Sequence, residues 1–120
     1  MAIDLRRRRF ADAIYGSDAN PVNAAAARNI GLVDETMDVE ALVDRSDLII
    51  IAIPVDSAIP VLKQVLDIFR DKGYSGKTVI DTCSTKGMIS ASAEGHPCRG
   101  RYVATHPMAG TGYSGPWAAL

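Results

Sequence analysis

The chain has 120 residues, 48% of them hydrophobic and 22% charged, and a formal net charge of −1. That is one domain at most, with the composition of a soluble globular protein, no run apolar enough to span a bilayer, and no charge excess that would argue for nucleic acid. Two cysteines, Cys83 and Cys98, with no leader sequence in front of them, are expected as reduced thiols in a cytoplasmic protein, and their spacing is not that of a metal site.

In chain order, Met1 to Phe10 reads as the last turns of a helix. The run Arg6-Arg7-Arg8-Arg9 crowds its end, where it complements the dipole and stays solvated. Ala13 to Ser17 is a short strand ending in Asp18. Asn20 is the N-cap of an alanine-rich helix with Pro21 at its first position, running to about Asn29 and stopping near Gly31. A minimal strand is expected at Leu32-Val33 and a short helix over Asp38 to Val43. Leu48 to Ile53 is the strongest strand, apolar at every position as in a parallel strand covered on both faces, and Pro54 ends it. Ala58 to Phe69 places Ile59, Leu62, Val65, Leu66 and Phe69 on one helical stripe.

Thr78 to Thr82 is a further strand, Cys83 to Gly87 its loop, and Ile89 to Ala93 a weak helix. Gly95 to Gly100 reads as a turn with His96 as a surface residue. Arg101 to Thr105 is the last strand, stopped by His106-Pro107. Gly110, Gly112 and Gly115 then form a loop whose backbone can approach a ligand, and Trp117 to Leu120 begins another helix.

Alternating strands and helices predict an α/β fold with a doubly wound parallel sheet. Asp18, Pro54, the Cys83-Ser84-Thr85 loop and His106 each follow a strand, so a parallel sheet carries all of them to its carboxyl edge, where such sheets bind ligands. Taken alone, His106 reads as an ordinary loop histidine; the convergence favours a functional role. Asp18 fits the acid that accepts hydrogen bonds from both ribose hydroxyls of an adenine dinucleotide and repels a 2′-phosphate, which selects NAD over NADP. A turn aspartate ahead of Asn20-Pro21 is the other reading. The earlier strand and the Gly-x-Gly-x-x-Gly turn that should come before the strand ending at Asp18 do not occur in residues 1 to 17.

The segments Ile14-Tyr-Gly-Ser-Asp-Ala-Asn-Pro21, Ser46-Asp-Leu-Ile-Ile-Ile-Ala-Ile-Pro-Val55, Asp81-Thr-Cys-Ser-Thr-Lys-Gly87 and His106-Pro-Met-Ala-Gly-Thr-Gly-Tyr-Ser-Gly115 together resemble the nucleotide-binding domain of the prephenate dehydrogenase family. The Ser-Thr-Lys-Gly loop combined with the His-Pro-Met-Ala-Gly-Thr loop is the specific part. The resemblance implies a Rossmann-like domain that binds NAD. It implies oxidative decarboxylation of prephenate to 4-hydroxyphenylpyruvate on the way to tyrosine, with hydride passing to the nicotinamide and carbon dioxide lost as the ring becomes aromatic.

It further implies roles for individual residues. His106 is the base or hydrogen-bond acceptor on the substrate hydroxyl, for which a near-neutral imidazole suits. Ser84 holds that hydroxyl or the nicotinamide side of the cofactor. Lys86 matches a loop lysine that could touch substrate, although its plain reading is a solvated loop lysine. Thr111 lies near the cofactor, and Pro54 shapes the backbone beside the dinucleotide. The full-length family enzyme is expected to be a homodimer.

Two positions depart from the family pattern. Gly112 stands where an acid is frequent, and Cys83 where glycine is common. The family's first strand, its phosphate-binding turn and its following helical dimerisation domain are also not found in these residues. The resemblance therefore implies a partial NAD-binding domain over 1–120 that does not turn over substrate alone. Arogenate is the alternative substrate. A different NAD(P)-dependent reductase, such as a 3-hydroxyacid dehydrogenase, is disfavoured by the paired Ser84 and His106 loops. A non-catalytic remnant that binds a nucleotide or a partner subunit is the reading from another class.

Overall fold

The computed structural model describes residues 1–108, 112, 113 and 115–119. The chain is α/β and forms two compact units, one of residues 1–42 with the described part of 109–120, the other of residues 43–108.

The first unit holds α1 (Ala2–Arg7), β1 (Tyr15–Gly16), α2 (Pro21–Asn29) and β2 (Glu35–Thr36). β1 and β2 pair in parallel, Tyr15 with Glu35 and Gly16 with Thr36. A 3₁₀ turn at Pro116–Ala119 packs on α2. The caps of α2 match the sequence reading. Asn20 Oδ1 accepts the Val22 N–H at 2.9 Å, and Pro21 occupies the first turn. At the other end Gly31 takes φ +74°, with the Gly31 N–H on the Arg28 carbonyl at 3.1 Å and the Leu32 N–H on the Ala27 carbonyl at 2.9 Å. This paired closure is a Schellman motif, which requires the left-handed residue that glycine supplies.

The same closure moves the second strand. Leu32 and Val33 do not form it: Leu32 is buried beneath the helix end, and Val33 packs over Gly16, where an added Cβ would come within 3.1 Å. Pairing passes to the polar Glu35-Thr36, with Asp34 as the hinge. The Asp34 N–H donates to the Ile14 carbonyl at 2.7 Å, while its carboxylate accepts the Ile14 N–H at 2.8 Å and meets Arg6 at 3.1 Å. The rest of the Arg6–Arg9 run is exposed, as a solvated helix end should be.

α3 (Val39–Arg45) carries the chain into the second unit, which contains β3 (Leu48–Ile51), α4 (Val55–Lys72), β4 (Thr78–Asp81), α5 (Gly87–Ser92), a 3₁₀ turn (Arg99–Arg101) and β5 (Tyr102–Ala104). Among the described residues, its strands form a parallel sheet in the order β3-β4-β5, with β3 at one end of that order. α4 starts at Val55, three residues ahead of the expected Ala58, because the Ser57 and Ala58 amides bond to the Pro54 carbonyl at 3.0 and 2.9 Å. Its buried residues are Ala58, Leu62, Val65, Leu66 and Phe69; Ile59 is only half-buried. They pack on β3, β4 and α5.

The sheet is not covered equally on its two faces, as the unbroken apolar run of β3 suggested. Ile49, Ile51, Val79, Asp81 and Tyr102 share a buried face, whereas Leu48, Ile50, Thr78 and Ile80 on the other are half-buried and Val103 is 50% exposed. Among the described residues no helix is long and apolar enough to cross a membrane.

Candidate functional site

The second unit places three sequence-predicted positions together. Ile51, Asp81 and Ala104 form one registered row across β3, β4 and β5. Pro54 and Ser84 lie three residues beyond this row and His106 two, all past the carboxyl ends of adjacent parallel strands. Neighbouring strands stand about 5 Å apart, so the ends of β4 and β5, from which the Ser84 and His106 segments leave, are neighbours on one edge. Both side chains are exposed and make no hydrogen bond or ion pair among the described residues. Among the described residues, a hydroxyl and an imidazole thus have no partner at the edge where parallel sheets bind ligands. Thr111 lies outside the described residues.

The strand ends are tied to one another beneath that edge. The Thr82 N–H donates to the Ile51 carbonyl at 3.0 Å, and the Cys83 thiol lies 3.7 Å from the Ile53 carbonyl. The largest tie is Asp81, the one polar side chain among the described residues that is buried, at 0% exposure. Its Oδ1 accepts the Cys83 N–H at 2.8 Å and pairs with the Lys86 ammonium; its Oδ2 accepts the Tyr102 hydroxyl at 2.7 Å. The Asp81 carbonyl accepts the Thr105 hydroxyl.

Burial pushes the Asp81 carboxyl upward, but Lys86, Tyr102 and the Cys83 amide outweigh it and hold the group below the usual carboxylate range. Burial, followed by the neighbouring carboxylate, raises the Cys83 thiol and the Tyr102 phenol. Burial and the raised thiol both disfavour a thiolate at Cys83. Lys86 is not a solvated loop lysine: its ammonium is turned inward onto Asp81. Asp81 itself was not among the residues singled out from sequence. Its signal was period two: Val79 and Asp81 must share a face, and Val79 is plainly a core residue.

His96 also differs from a plain surface turn residue. Its Nδ1 accepts the Cys98 N–H at 3.0 Å, which leaves Nε2 to donate to Asp67 at 3.1 Å. It fastens the turn before β5 to α4, and its side chain is only 15% exposed.

Asp18 belongs to the first unit, two residues beyond β1. It is exposed, and its Oδ1 accepts the Asn20 N–H at 2.8 Å, an Asx turn that leads into the Asn20 cap. The turn reading is thus correct for one oxygen. The other makes no hydrogen bond among the described residues and is open to a ligand hydroxyl.

The sequence model of the prephenate dehydrogenase nucleotide-binding domain matches residues 1–120. The chain belongs to the prephenate dehydrogenase family. It is similar to the prephenate dehydrogenase of Lactococcus lactis, 30% identical over 108 residues that make up 88% of this chain and 29% of that protein. The solved prephenate dehydrogenase of Aquifex aeolicus superposes with a TM-score of 0.83 at 31% identity, covering 98% of this chain and 41% of that one. A second structure of the Aquifex aeolicus prephenate dehydrogenase, in complex with hydroxyphenyl propionate and NAD+, gives 0.76 at 30% identity over 97% and 40%. Synechocystis arogenate dehydrogenase gives 0.74 at 25% identity, over 98% of this chain and 39% of that one. The chain thus spans well under half the length of these prephenate and arogenate dehydrogenases.

Proposed function

We propose that this chain binds NAD and carries groups that act in the NAD-dependent oxidative decarboxylation of prephenate to 4-hydroxyphenylpyruvate. The observation that supports this best is the row Ile51–Asp81–Ala104, beyond which Pro54, Ser84 and His106 share one strand edge. The exposed carboxylate of Asp18 fits the ribose hydroxyls of NAD, because one of its oxygens is already fixed by the Asn20 amide and the other is open. A 2′-phosphate would meet that negative charge, so NAD is preferred to NADP.

When bound, NAD supplies the hydride acceptor. The residues of this chain do the rest of the proposed work at the substrate's ring hydroxyl. His106 accepts its proton as the carbon beneath is oxidised, and Ser84 holds the hydroxyl in line. Loss of carbon dioxide makes the ring aromatic and renders the step irreversible, so one proton acceptor and a fixed orientation suffice. Lys86, held on Asp81, is assigned to the loop and not to the substrate.

Arogenate is the second reading for the substrate, favoured by the superposition on the Synechocystis arogenate dehydrogenase. The test is production of NADH absorbance by the full product of the coding sequence, with prephenate and arogenate compared. Prephenate is expected to give the higher kcat/KM, and His106→Asn is expected to lower kcat by about 10²–10⁴-fold. Equal turnover by His106→Asn would remove the histidine from the chemistry. Isothermal titration of NAD+ into the 120-residue chain separates an NAD-binding domain from a remnant without cofactor affinity.

A further inference from the structure

Carboxylates are rarely buried completely, since the charge loses its hydration and must regain the energy from partners. Asp81 is buried completely. An apolar residue of similar size would fill the place with less risk to stability. What Asp81 has that an apolar residue lacks is a set of partners, and these lie on the segments that lead to the candidate site.

The Cys83 amide and the Lys86 ammonium bracket Ser84 in the β4 loop. The Tyr102 hydroxyl, 2.7 Å from Oδ2, anchors the start of β5, the strand that delivers His106. The Thr105 hydroxyl on the Asp81 carbonyl fixes the residue directly before His106. Neither Ser84 nor His106 has a partner of its own among the described residues, so their places follow from the backbone segments on either side.

We infer that Asp81 is a positioning residue: its two carboxylate oxygens lock the Ser84 loop to β5 and so fix the separation of the Ser84 hydroxyl from the His106 imidazole. The inference rests on the proposed roles of those two residues for its meaning in catalysis, but the locking stands or falls without them. Lys86 takes the part of counter-ion, neutralising the buried charge at the end of its own loop.

The test uses Asp81→Asn, which keeps the shape and removes the charge, and Tyr102→Phe, which removes one arm and leaves the charge and Lys86 in place. Backbone ¹⁵N relaxation on the ligand-free chain is expected to show disorder rising at 83–86 and 105–106 in both variants, more in Asp81→Asn, while β3 and α4 are unchanged. In the full product of the coding sequence, Asp81→Asn is expected to lower kcat with prephenate by about 100-fold, the loss expected from misplacing reacting groups, with KM for NAD nearly constant. Should Asp81→Asn fail to fold, Tyr102→Phe alone decides the matter.

Unchanged order at 83–86 and 105–106, with only a lower unfolding midpoint, would make Asp81 a stabilising residue and overturn the inference. Ordered loops with unchanged kcat would do the same. Absence of prephenate oxidation in the parent protein would instead overturn the proposed function, since the relaxation result needs no turnover.

Discussion

Two aspartates stand at the carboxyl ends of parallel strands in this chain and do opposite things. Asp81 is sealed beneath the end of β4, with both oxygens taken by a lysine, a tyrosine and an amide. Asp18 is exposed beyond β1, with one oxygen on the Asn20 amide and the other without a hydrogen bond among the described residues. The same side chain is thus an enclosed acceptor in one unit and a solvent-exposed one in the other. Burial and the supply of donors decide which, and strand-end position alone does not.

The contrast is sharpest in stability. Asp81→Ala leaves the Lys86 ammonium and the Tyr102 hydroxyl without their acceptor, and is expected to destabilise the second unit by about 3 kcal/mol in urea unfolding. Asp18→Ala removes only the solvent-exposed acceptor of the Asn20 N–H and is expected to cost about 0.5–1 kcal/mol. Equal effects would erase the distinction. In ligand binding the order reverses: Asp18→Ala is expected to weaken NAD+ about tenfold, one lost charge-assisted hydrogen bond, and to narrow the preference over NADP+.

Acid probes the buried member. The folded-state carboxyl of Asp81 is held below its ordinary value of 3.8, so the unfolded chain binds more protons there. Its contribution is complete above that value and is lost as pH falls from there through the folded-state value. Parent and Asp81→Asn should therefore differ in stability at neutral pH and converge in strong acid; a difference independent of pH would deny the charge its role. The smallest effect is chemical. Burial raises the Cys83 thiol, so alkylation at neutral pH is expected to label the half-buried Cys98 and spare Cys83 in the folded chain, and to reach Cys83 faster in Asp81→Asn.

Much of the fold was legible because the signals were local. Asn20-Pro21 announced the start of α2, Gly31 its end, and the Leu48–Ile53 run a parallel strand, of which Leu48–Ile51 forms. The misplaced second strand shows where local reasoning stops. Leu32 and Val33 have strand propensity, but Leu32 is spent on closing α2 and Val33 on packing over Gly16, and pairing went to Glu35-Thr36.

For the candidate site, the place of Pro54, Ser84 and His106 past neighbouring strand ends could be read ahead because register is inherited along a parallel sheet. Lys86 was misread as solvated because its partner is buried five residues upstream on another element. His96 was misread as a surface residue because its partner lies on α4. Polar partners on another element leave little trace in a single sequence, whereas an aspartate in the inward register of a strand leaves some.

The strand order β3-β4-β5 sets Leu48–Ile51 at a margin of its sheet. Among the described residues, the isoleucines there keep one flank of backbone donors and acceptors outside the β3-β4-β5 ladder, and nothing charged interrupts the run between Leu48 and Ile51. Such a flank recruits any strand that reaches it. Preparations of the 120-residue polypeptide should accordingly thicken into oligomers as concentration rises, and a lysine at residue 50, on the half-covered face, should keep them dispersed.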